Sequence, residues 1–258
     1  MIPIKSASDI ERMRAACRAA AEVMRAVAAL IQPGRTTKEL DEAAAALIRQ
    51  RGGKSPFLGY KGFPGHICVS VNEEVVHGIP SQRRVQYGDI VSLDVGIVLD
   101  GFVGDNATTV AVGVVPARVQ ELLEATQDGL RAGIAAARQG NRVGDISHAV
   151  QMAVEARGFS VVREFVGHGV GRKMHEEPQI PNFGSAGTGP KLKPGMTLAI
   201  EPMINLGGHA VRMLNDGWTV VTADGSPSAH FEHTVMVTEK DAEILTWLET
   251  MPYESKAQ

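Results

Sequence analysis

The order of sequence patterns in the first half of the chain is repeated in the second half. In both halves, two amphipathic helical patterns that end at glycine precede a run of strand-like segments. A shift of 106 or 107 residues relates the matching positions, which are Gly34 and Gly140, Leu40 and Ile146, Ala44 and Val150, Gly52 and Gly158, Gly88 and Gly195, and Asp94 and Glu201. We infer an internal duplication and predict one domain over residues 1–258, with halves at about 8–113 and 114–248. Chance recurrence of glycines and aliphatic residues is the alternative.

Capping motifs and periodicity predict the individual elements. Ser8-x-x-Glu11 predicts the start of a helix that reaches about Ile31, and Thr36-x-x-Glu39 predicts the start of a second helix. Two further helices are predicted over residues 116–138 and 146–157, and strands are predicted over residues 67–71, 90–95 and 108–112. This mixture of helices and strands predicts an α/β (α+β) fold with pseudo-twofold symmetry.

The composition excludes several classes of protein. The 258 residues carry 26 basic and 29 acidic side chains, a net charge of −3, so neither nucleic acid nor an anionic membrane is an expected partner. The most apolar segment, residues 15–31, carries Arg18, Glu22 and Arg25 and cannot span a bilayer. Cys17 and Cys68 are too few for a disulfide scaffold and suit a reducing compartment. We expect a cytoplasmic protein and, because no apolar face remains unassigned, a monomer.

Four carboxylates occur where strands are expected to be apolar. Asp94, Glu201 and Glu232 lie within hydrophobic, strand-like segments, and Asp105 opens a further strand-like segment. Burying four unpaired carboxylates would cost on the order of tens of kcal/mol, so they need partners or protons. Pairing with arginine, or strand ends that reach solvent, would satisfy each one separately. The duplication favours a common explanation, because folding the halves face to face would bring the four acids together around two divalent cations.

Three histidines lie in contexts that suit a binding site, two of them beside glycine and the third beside two acidic residues. His168 occurs in Gly-His-Gly-Val-Gly, His77 in His-Gly-Ile-Pro and His175 in Met-His-Glu-Glu-Pro. Glycine beside a histidine lets the backbone approach a ligand closely. Glu176 and Glu177 are not expected to be ligands, because adjacent side chains usually point to different faces. The other histidines considered, His66, His148 and His209, are expected to be surface or core residues.

Together these motifs resemble the type I methionine aminopeptidases. The resemblance runs from about Ile4 to Leu248 and is carried by Val-Val-His77-Gly-Ile-Pro, Leu-Asp94-Val, Gly-Asp105, Gly-His168-Gly-Val-Gly, His175-Glu-Glu-Pro, Ala-Ile-Glu201-Pro-Met and Phe-Glu232-His-Thr. It implies the pita-bread fold, two pseudo-twofold halves whose antiparallel sheet is covered by helices on one side. Only 25 residues separate His175 from Glu201, too few for the helical insertion of the type II enzymes.

The resemblance also implies the roles of individual residues. It implies five ligands for two divalent ions (cobalt, manganese, iron, zinc or nickel), namely Asp94, Asp105, His168, Glu201 and Glu232. Glu201 would also relay a proton to the leaving amine, and His77 and His175 would contact the substrate without binding metal. The reaction implied is release of the initiator methionine from nascent chains whose second residue is small, and contact with the ribosome is plausible only through that role.

The resemblance implies an apolar pocket for the methionine side chain. Its walls would include Tyr60, Phe63, Cys68 and Trp218, with Phe57 and Met174 nearby. Phe57 and Met174 depart from the pattern of well-known bacterial members, in which a small thiol and an aromatic ring are expected at these two positions. These departures change the expected shape of the pocket and leave the metal ligands unaffected.

Two other functions remain open at this point. An X-Pro aminopeptidase or prolidase-like hydrolase could use the same fold and ligands, although those relatives usually carry an additional N-terminal domain. A non-catalytic binding protein of the same fold is expected to have lost ligands, whereas this sequence keeps the full set of five.

Overall fold

The structure is a computed structural model that describes residues 2–248. Met1 and residues 249–258 of the predicted domain lie outside the described residues. Four α-helices are α1 Ala7–Ala28, α2 Thr37–Gln50, α3 Ala117–Ala136 and α4 Val143–Glu155, and Tyr60–Gly62 form a short 3-10 turn. Within residues 2–248, no helix is both long enough and apolar enough to cross a bilayer.

Fourteen strands are found in the described part of the chain. They are β1 Cys68–Val71, β2 Glu74–Val76, β3 Ile90–Leu99, β4 Phe102–Ala111, β5 Ser160–Val161, β6 Gly167–Gly169, β7 Glu176–Ile180, β8 Thr197–Ile200, β9 Met203–Asn205, β10 Val211–Met213, β11 Val220–Thr222, β12 Ser228–His230, β13 Glu232–Met236 and β14 Glu243–Ile244. The main sheet has the antiparallel order β1-β3-β4-β13-β8-β6-β7, with β14 paired to β13. Two smaller sheets have the orders β10-β11-β2 and β12-β9-β5.

Two apolar clusters hold the helices to the strands. The first joins α1 and α2 to the first strands of the main sheet, and it includes Val91, Leu93, Val95 and Ile97 of β3. The second joins α3 and α4 to β8 and β13. Because successive side chains of a strand point to opposite faces, the odd-numbered residues of β3 pack under the helices. The even-numbered residues, Asp94 among them, therefore face the other side of the sheet.

The helix starts agree with the capping motifs only in part. Thr36 and Glu39 form the predicted capping box of α2. The predicted start of α1 at Ser8 is wrong, because Ser6 caps this helix: its hydroxyl accepts the N–H of Asp9, and the Asp9 carboxylate accepts the N–H of Ser6. Both tetrapeptides fit the motif, but Glu11 pairs with Arg14 within the helix instead. α1 also ends at Ala28 rather than near Ile31, and α4 begins three residues before Ile146.

Each pair of helices is followed by strands of the main sheet, so the element order has the same form in both parts of the chain. The derivation of those parts from one ancestral half, with a boundary near residue 113, stays a prediction.

Candidate metal centre

Strand register brings the four predicted carboxylates to one face of the main sheet. Asp94 of β3 lies opposite Ala107 of β4, and Ala107 lies opposite Glu232 of β13, so one small side chain separates two acids. Asp105 lies opposite Gly96, two residues along β3 from Asp94, and so shares that face.

The fourth acid reaches the cluster at the end of β8. Ile200, the last residue of β8, pairs with His233, so Glu201 follows directly beside Glu232. Ala199 pairs with His168 of β6, which brings the imidazole to the same place. A carboxylate oxygen from Asp105 and Glu232 and a ring nitrogen of His168 all lie within 4.8 Å of one another.

Several carboxylate oxygens of this cluster have no hydrogen-bond partner. Asp105 and Glu232 are only 4% and 3% exposed, and their Oδ1 and Oε1 atoms, with Oδ1 of Asp94, are buried without a hydrogen bond. Burial raises the pKa of Asp94 well above its ordinary value, and the Asp105 charge raises it further. Burial raises the pKa of Asp105 to about 7. Burial and the neighbouring carboxylates raise the pKa values of Glu201 and Glu232 in the same direction.

The protonation of His168 explains why the cluster suits a cation. Its Nδ1 lies 2.9 Å from the carbonyl oxygen of Gly169, so Nδ1 carries the proton and donates it to that carbonyl. Burial lowers the pKa of His168 to about 4, so Nε2 holds a lone pair at neutral pH. That lone pair lies 3.4 Å from Glu201 Oε1 and 3.9 Å from Asp105 Oδ2. The cluster therefore combines buried imidazole and carboxylate lone pairs that face one another. Such a set of donors fits a borderline divalent metal ion.

His175 and His77 lie beside the cluster as neutral imidazoles. The ring of His175 lies 4.4 Å from that of His168, and its Nδ1 lies 3.3 Å from the Tyr60 hydroxyl. His77 packs edge-on against Phe165 and Trp218 at a backbone φ of 59°. Burial lowers the pKa of His77 to about 4, and burial together with the charge of Lys61 lowers the pKa of His175. Both rings can therefore act as hydrogen-bond groups without adding charge.

All predicted site residues line one cavity of about 790 Å³. The predicted ligands Asp94, Asp105, His168, Glu201 and Glu232 form one part of its lining, and the rest of the predicted set comprises His77, His175, Tyr60, Phe63, Cys68, Trp218, Phe57 and Met174. Phe63 contacts Trp218 edge-on at 5.1 Å, and Phe57, Phe63 and Cys68 form a buried cluster with Met174 and Trp218.

Phe57 owes its place in this cluster to Gly96. A Cβ atom at Gly96 would lie 3.0 Å from the Phe57 ring and 2.6 Å from Pro56. The phenyl ring therefore occupies space that a larger residue on β3 would take. Glycine at this position and phenylalanine at position 57 fit together sterically.

Two features of the site were missed by sequence reasoning. Glu176 forms a 2.5 Å ion pair with Lys5, whose side chains are only 10% and 5% exposed, and this pair holds the strand that follows His175. His230 is 2% exposed, and its Nε2 lies 3.4 Å from Glu201 Oε2. Its position two residues before Glu232 was the one signal that could have pointed to it.

Comparison with known proteins agrees with this geometry. Residues 11–239 match the model of metallopeptidase family M24. Methionine aminopeptidase 1 of Bacillus subtilis (strain 168) is 50% identical over 246 residues, which are 95% of this chain and 99% of that protein. Methionine aminopeptidase A of Synechocystis sp. is 48% identical over 95% of this chain and 97% of that protein.

Solved structures give the same result. A methionine aminopeptidase from Thermotoga maritima, 49% identical, superposes with a TM-score of 0.94 and covers 96% of this chain and 100% of its own. Prolidase from Pyrococcus furiosus, 23% identical, has a TM-score of 0.77, covers 95% of this chain and 66% of its own, and shows the shared fold alone. The predicted α/β pita-bread fold is confirmed.

Proposed function

Because the chain belongs to metallopeptidase family M24 and, within it, to the methionine aminopeptidases, we propose that it hydrolyses the first peptide bond of a chain and releases N-terminal methionine. The observation that carries the proposal is the cluster of buried, partnerless carboxylate oxygens beside a neutral imidazole, which lies in the lining of a partly apolar cavity. Such a site combines a cation-binding group with a place for an apolar side chain.

The metal use of the family is expected to depend on five residues of this chain. Two divalent ions would balance the four negative charges of the cluster, and cobalt, manganese, iron, zinc and nickel are all compatible with its donors. When bound, such ions lower the pKa of water and polarise the scissile carbonyl. The residues that would hold them are Asp94, Asp105, His168, Glu201 and Glu232.

Proton transfer in this reaction falls to Glu201. Its side chain belongs to the cavity lining, where Oε1 lies 3.4 Å from His168 Nε2. A carboxylate beside the attacking water can take a proton from it and then give that proton to the leaving amine.

His175 and His77 orient the peptide. If the Tyr60 hydroxyl donates to Nδ1 of His175, the neutral ring carries its proton on Nε2 and can donate a hydrogen bond to the peptide carbonyl as negative charge develops there. His77, whose ring is packed against Phe165 and Trp218, holds the bound peptide in line.

Selection of methionine is assigned to the apolar part of the cavity. Aromatic rings at Phe63 and Trp218 suit an unbranched thioether, because sulfur packs favourably at the edges of aromatic rings. A small second residue is preferred in the proposed reaction, and nascent proteins are the proposed substrates.

The wider setting of the protein is part of the same proposal. We propose a cytoplasmic monomer that meets nascent chains, with ribosome contact following only from that role, and with neither nucleic acid nor membrane as a partner. Two buried cysteines, both unpaired, support a reducing compartment.

The deciding experiment compares Met-Ala-Ser with Ala-Pro-Ser as substrates of protein loaded with manganese, cobalt or iron. We expect methionine release from the first peptide and little cleavage of the second. Faster cleavage of Ala-Pro-Ser would favour the prolidase-like alternative. Absence of divalent-metal binding in a titration would favour a non-catalytic binding protein.

A further inference from the structure

His230 is held rigidly behind the proposed catalytic cavity. It is the last residue of β12, where it pairs with Met203 of β9. Its N–H donates to the Thr109 hydroxyl at 2.9 Å, and that hydroxyl lies 2.8 Å from the His230 carbonyl oxygen. Since Thr109 belongs to β4 of the main sheet, the backbone of His230 is fixed from two sides. Its imidazole therefore has a defined direction.

That direction is toward Glu201. His230 Nε2 lies 3.4 Å from Glu201 Oε2, while the other oxygen, Oε1, lies 3.4 Å from His168 Nε2. The carboxylate thus lies between two imidazoles, and each oxygen meets a different one. Nε2 of His230 is buried and has no hydrogen-bond partner at normal geometry.

The two imidazoles are not equivalent. His168 uses Nδ1–H for the Gly169 carbonyl, so its Nε2 presents a lone pair toward Glu201. If His230 also presented a lone pair at Nε2, two buried acceptors would face each other there without any donor. A proton on Nε2 of His230 removes this conflict and gives Glu201 Oε2 a donor.

We propose that His230 is a positioning residue that donates its Nε2–H to Glu201 Oε2 and so directs Oε1 toward the metal centre. The inference deepens the proposed function and rests on it for the role of Glu201. The separation of 3.4 Å is longer than a formed hydrogen bond, and such bonds in ligand-free sites commonly shorten when the site is loaded.

The proposed hydrogen bond from His230 should raise metal affinity, and it should affect turnover through the metal site. A metal-binding carboxylate that is held by an outer donor loses little freedom when the metal arrives, and removing such donors typically weakens metal affinity about 10–100-fold. Without His230, the Glu201 carboxylate can rotate, and Oε1 is no longer favoured over Oε2. His230 is not itself part of the cavity lining, and it reaches the cavity only through Glu201.

The first test is titration of metal-free protein with Mn²⁺ by calorimetry, in the wild type, His230→Ala and His230→Gln. We expect His230→Ala to weaken the tighter site about 10–100-fold. We expect His230→Gln to bind within a few-fold of the wild type, because its side-chain amide can also donate to Oε2. Equal weakening in both variants, or an unchanged affinity in His230→Ala, would overturn the proposal.

A matched control separates positioning from general loosening of the sheet. His233 is 3% exposed, and its Nδ1 contacts the Thr246 hydroxyl at 2.7 Å. His233→Ala is expected to lower the melting temperature and to keep the Mn²⁺ affinity of the wild type. If both alanine variants weaken metal binding equally, loss of packing explains the effect and the positioning role is wrong.

Kinetics and tautomer state complete the test. With Met-Ala-Ser, His230→Ala is expected to lower kcat about as much as metal affinity, with little change in KM, at saturating Mn²⁺.

If His230→Ala does not fold, nitrogen-15 NMR of histidine in the wild type still decides, with His230→Gln assigning the signal. A proton on Nδ1 rather than Nε2 of His230 would refute the proposal. Wild-type protein that binds Mn²⁺ but releases no methionine would refute the proposed function, and the titration would still decide the role of His230.

Discussion

At the scale of single residues, the site depends on what lies between the acids. Ala107 separates Asp94 from Glu232 across β4, and Gly96 lies opposite Asp105. A larger side chain at Ala107 would stand between the two acids, and one at Gly96 would meet Pro56 and the Phe57 ring. The acids therefore face one another in a buried place, an arrangement that is unfavourable for the metal-free protein and favourable for cation binding.

Substitution of Glu232 tests this argument, because its effect on stability should have opposite signs without and with metal. Burial and acidic neighbours raise the pKa of the Glu232 carboxyl group, so this group destabilises the folded metal-free protein at pH 8. Glu232→Gln removes it, and the metal-free variant is therefore expected to be more stable than the wild type by about 1 kcal/mol or more, about 2–4 °C in Tm. With Mn²⁺ the order is expected to reverse, because the variant has lost a ligand. Calorimetry with and without metal measures both effects. Glu239→Gln at an exposed position is the control, and a Glu232→Gln variant less stable without metal would contradict the argument.

Phe57 is the residue whose change should alter specificity. Phe57→Cys removes the ring that packs on Gly96 and widens the apolar part of the cavity. The ratio of kcat/KM for Met-Ala-Ser to that for Phe-Ala-Ser is expected to fall about tenfold, within the range that pocket shape usually supplies. Leu58→Ala, at a neighbouring side chain that is 50% exposed, should leave the ratio unchanged. An unchanged ratio in Phe57→Cys would mean that the ring supports β3 without contacting the substrate.

At the scale of elements, the first helix and the strand that carries Asp105 pack without a side chain between them. A Cβ atom at Gly104 would lie 2.4 Å from the carbonyl group of Ala16 and 2.5 Å from the backbone nitrogen of Cys17. Backbone on both sides leaves no flexible side chain to move aside. α1 and β4 therefore approach as closely as glycine permits, and this contact fixes the neighbouring Asp105.

Gly104→Ala is expected to disturb both stability and metal binding. Overpacking of this kind typically costs about 1–3 kcal/mol, and shifting β4 also displaces Asp105. Tm and Mn²⁺ affinity should both fall, as measured by calorimetry. Gly208→Ala is the matched control, because its nearest atom, Oδ2 of Asp224, lies at an ordinary 3.6 Å. Wild-type Mn²⁺ affinity in Gly104→Ala would show that α1 moves and β4 does not.

The elements themselves were largely predictable, and their register was not. Periodicity and glycine predicted all four helices, and alternation predicted β1, β3 and part of β4. Local patterns could not fix the cap of α1, because Ser6-x-x-Asp9 and Ser8-x-x-Glu11 are equivalent as sequence motifs. The pairing of Ala107 with Glu232 joins strands more than a hundred residues apart, and no local pattern encodes it.

The candidate site shows the same division. Its acids stood out because charge is costly in apolar strands, and motif resemblance supplied His77, His168 and His175. His230 was missed because it belongs to no recognised motif, and its contact with Glu201 depends on how β12 packs against β9 and β4. Residues that act through another residue are recognised only when the partner is seen.

At the scale of the whole molecule, the site makes stability depend on pH. Folding raises the pKa of Asp105 from 3.8 to about 7 and raises those of the other three acids in the same direction. The folded protein therefore keeps protons that the unfolded chain has released, and stability falls as pH rises through this range. Buried histidines act oppositely, because folding lowers the pKa values of His77 and His168 from 6.5 to about 4. The stability that these histidines contribute is lost as pH falls below 6.5. They therefore oppose the pH dependence caused by the acids mainly below pH 6.5.

As pH rises above 6.5 these histidines become neutral in both states, whereas the acids still titrate differently. Burial also raises the pKa values of Cys17 and Cys68 above 9.0, which acts in the same direction as the acids at the alkaline end. The Tm of the metal-free protein is therefore expected to fall between pH 6.5 and pH 8.5, measured by calorimetry after dialysis against a chelator at constant ionic strength. Added Mn²⁺ should remove or reverse the slope, because metal binds the deprotonated ligands and its affinity rises with pH. Glu232→Gln should show a shallower slope than the wild type, since one of the four acids is gone. A metal-free Tm that rises across this range would mean that the carboxylates are already ionised in the folded protein, and the cluster would then need a different source of charge balance.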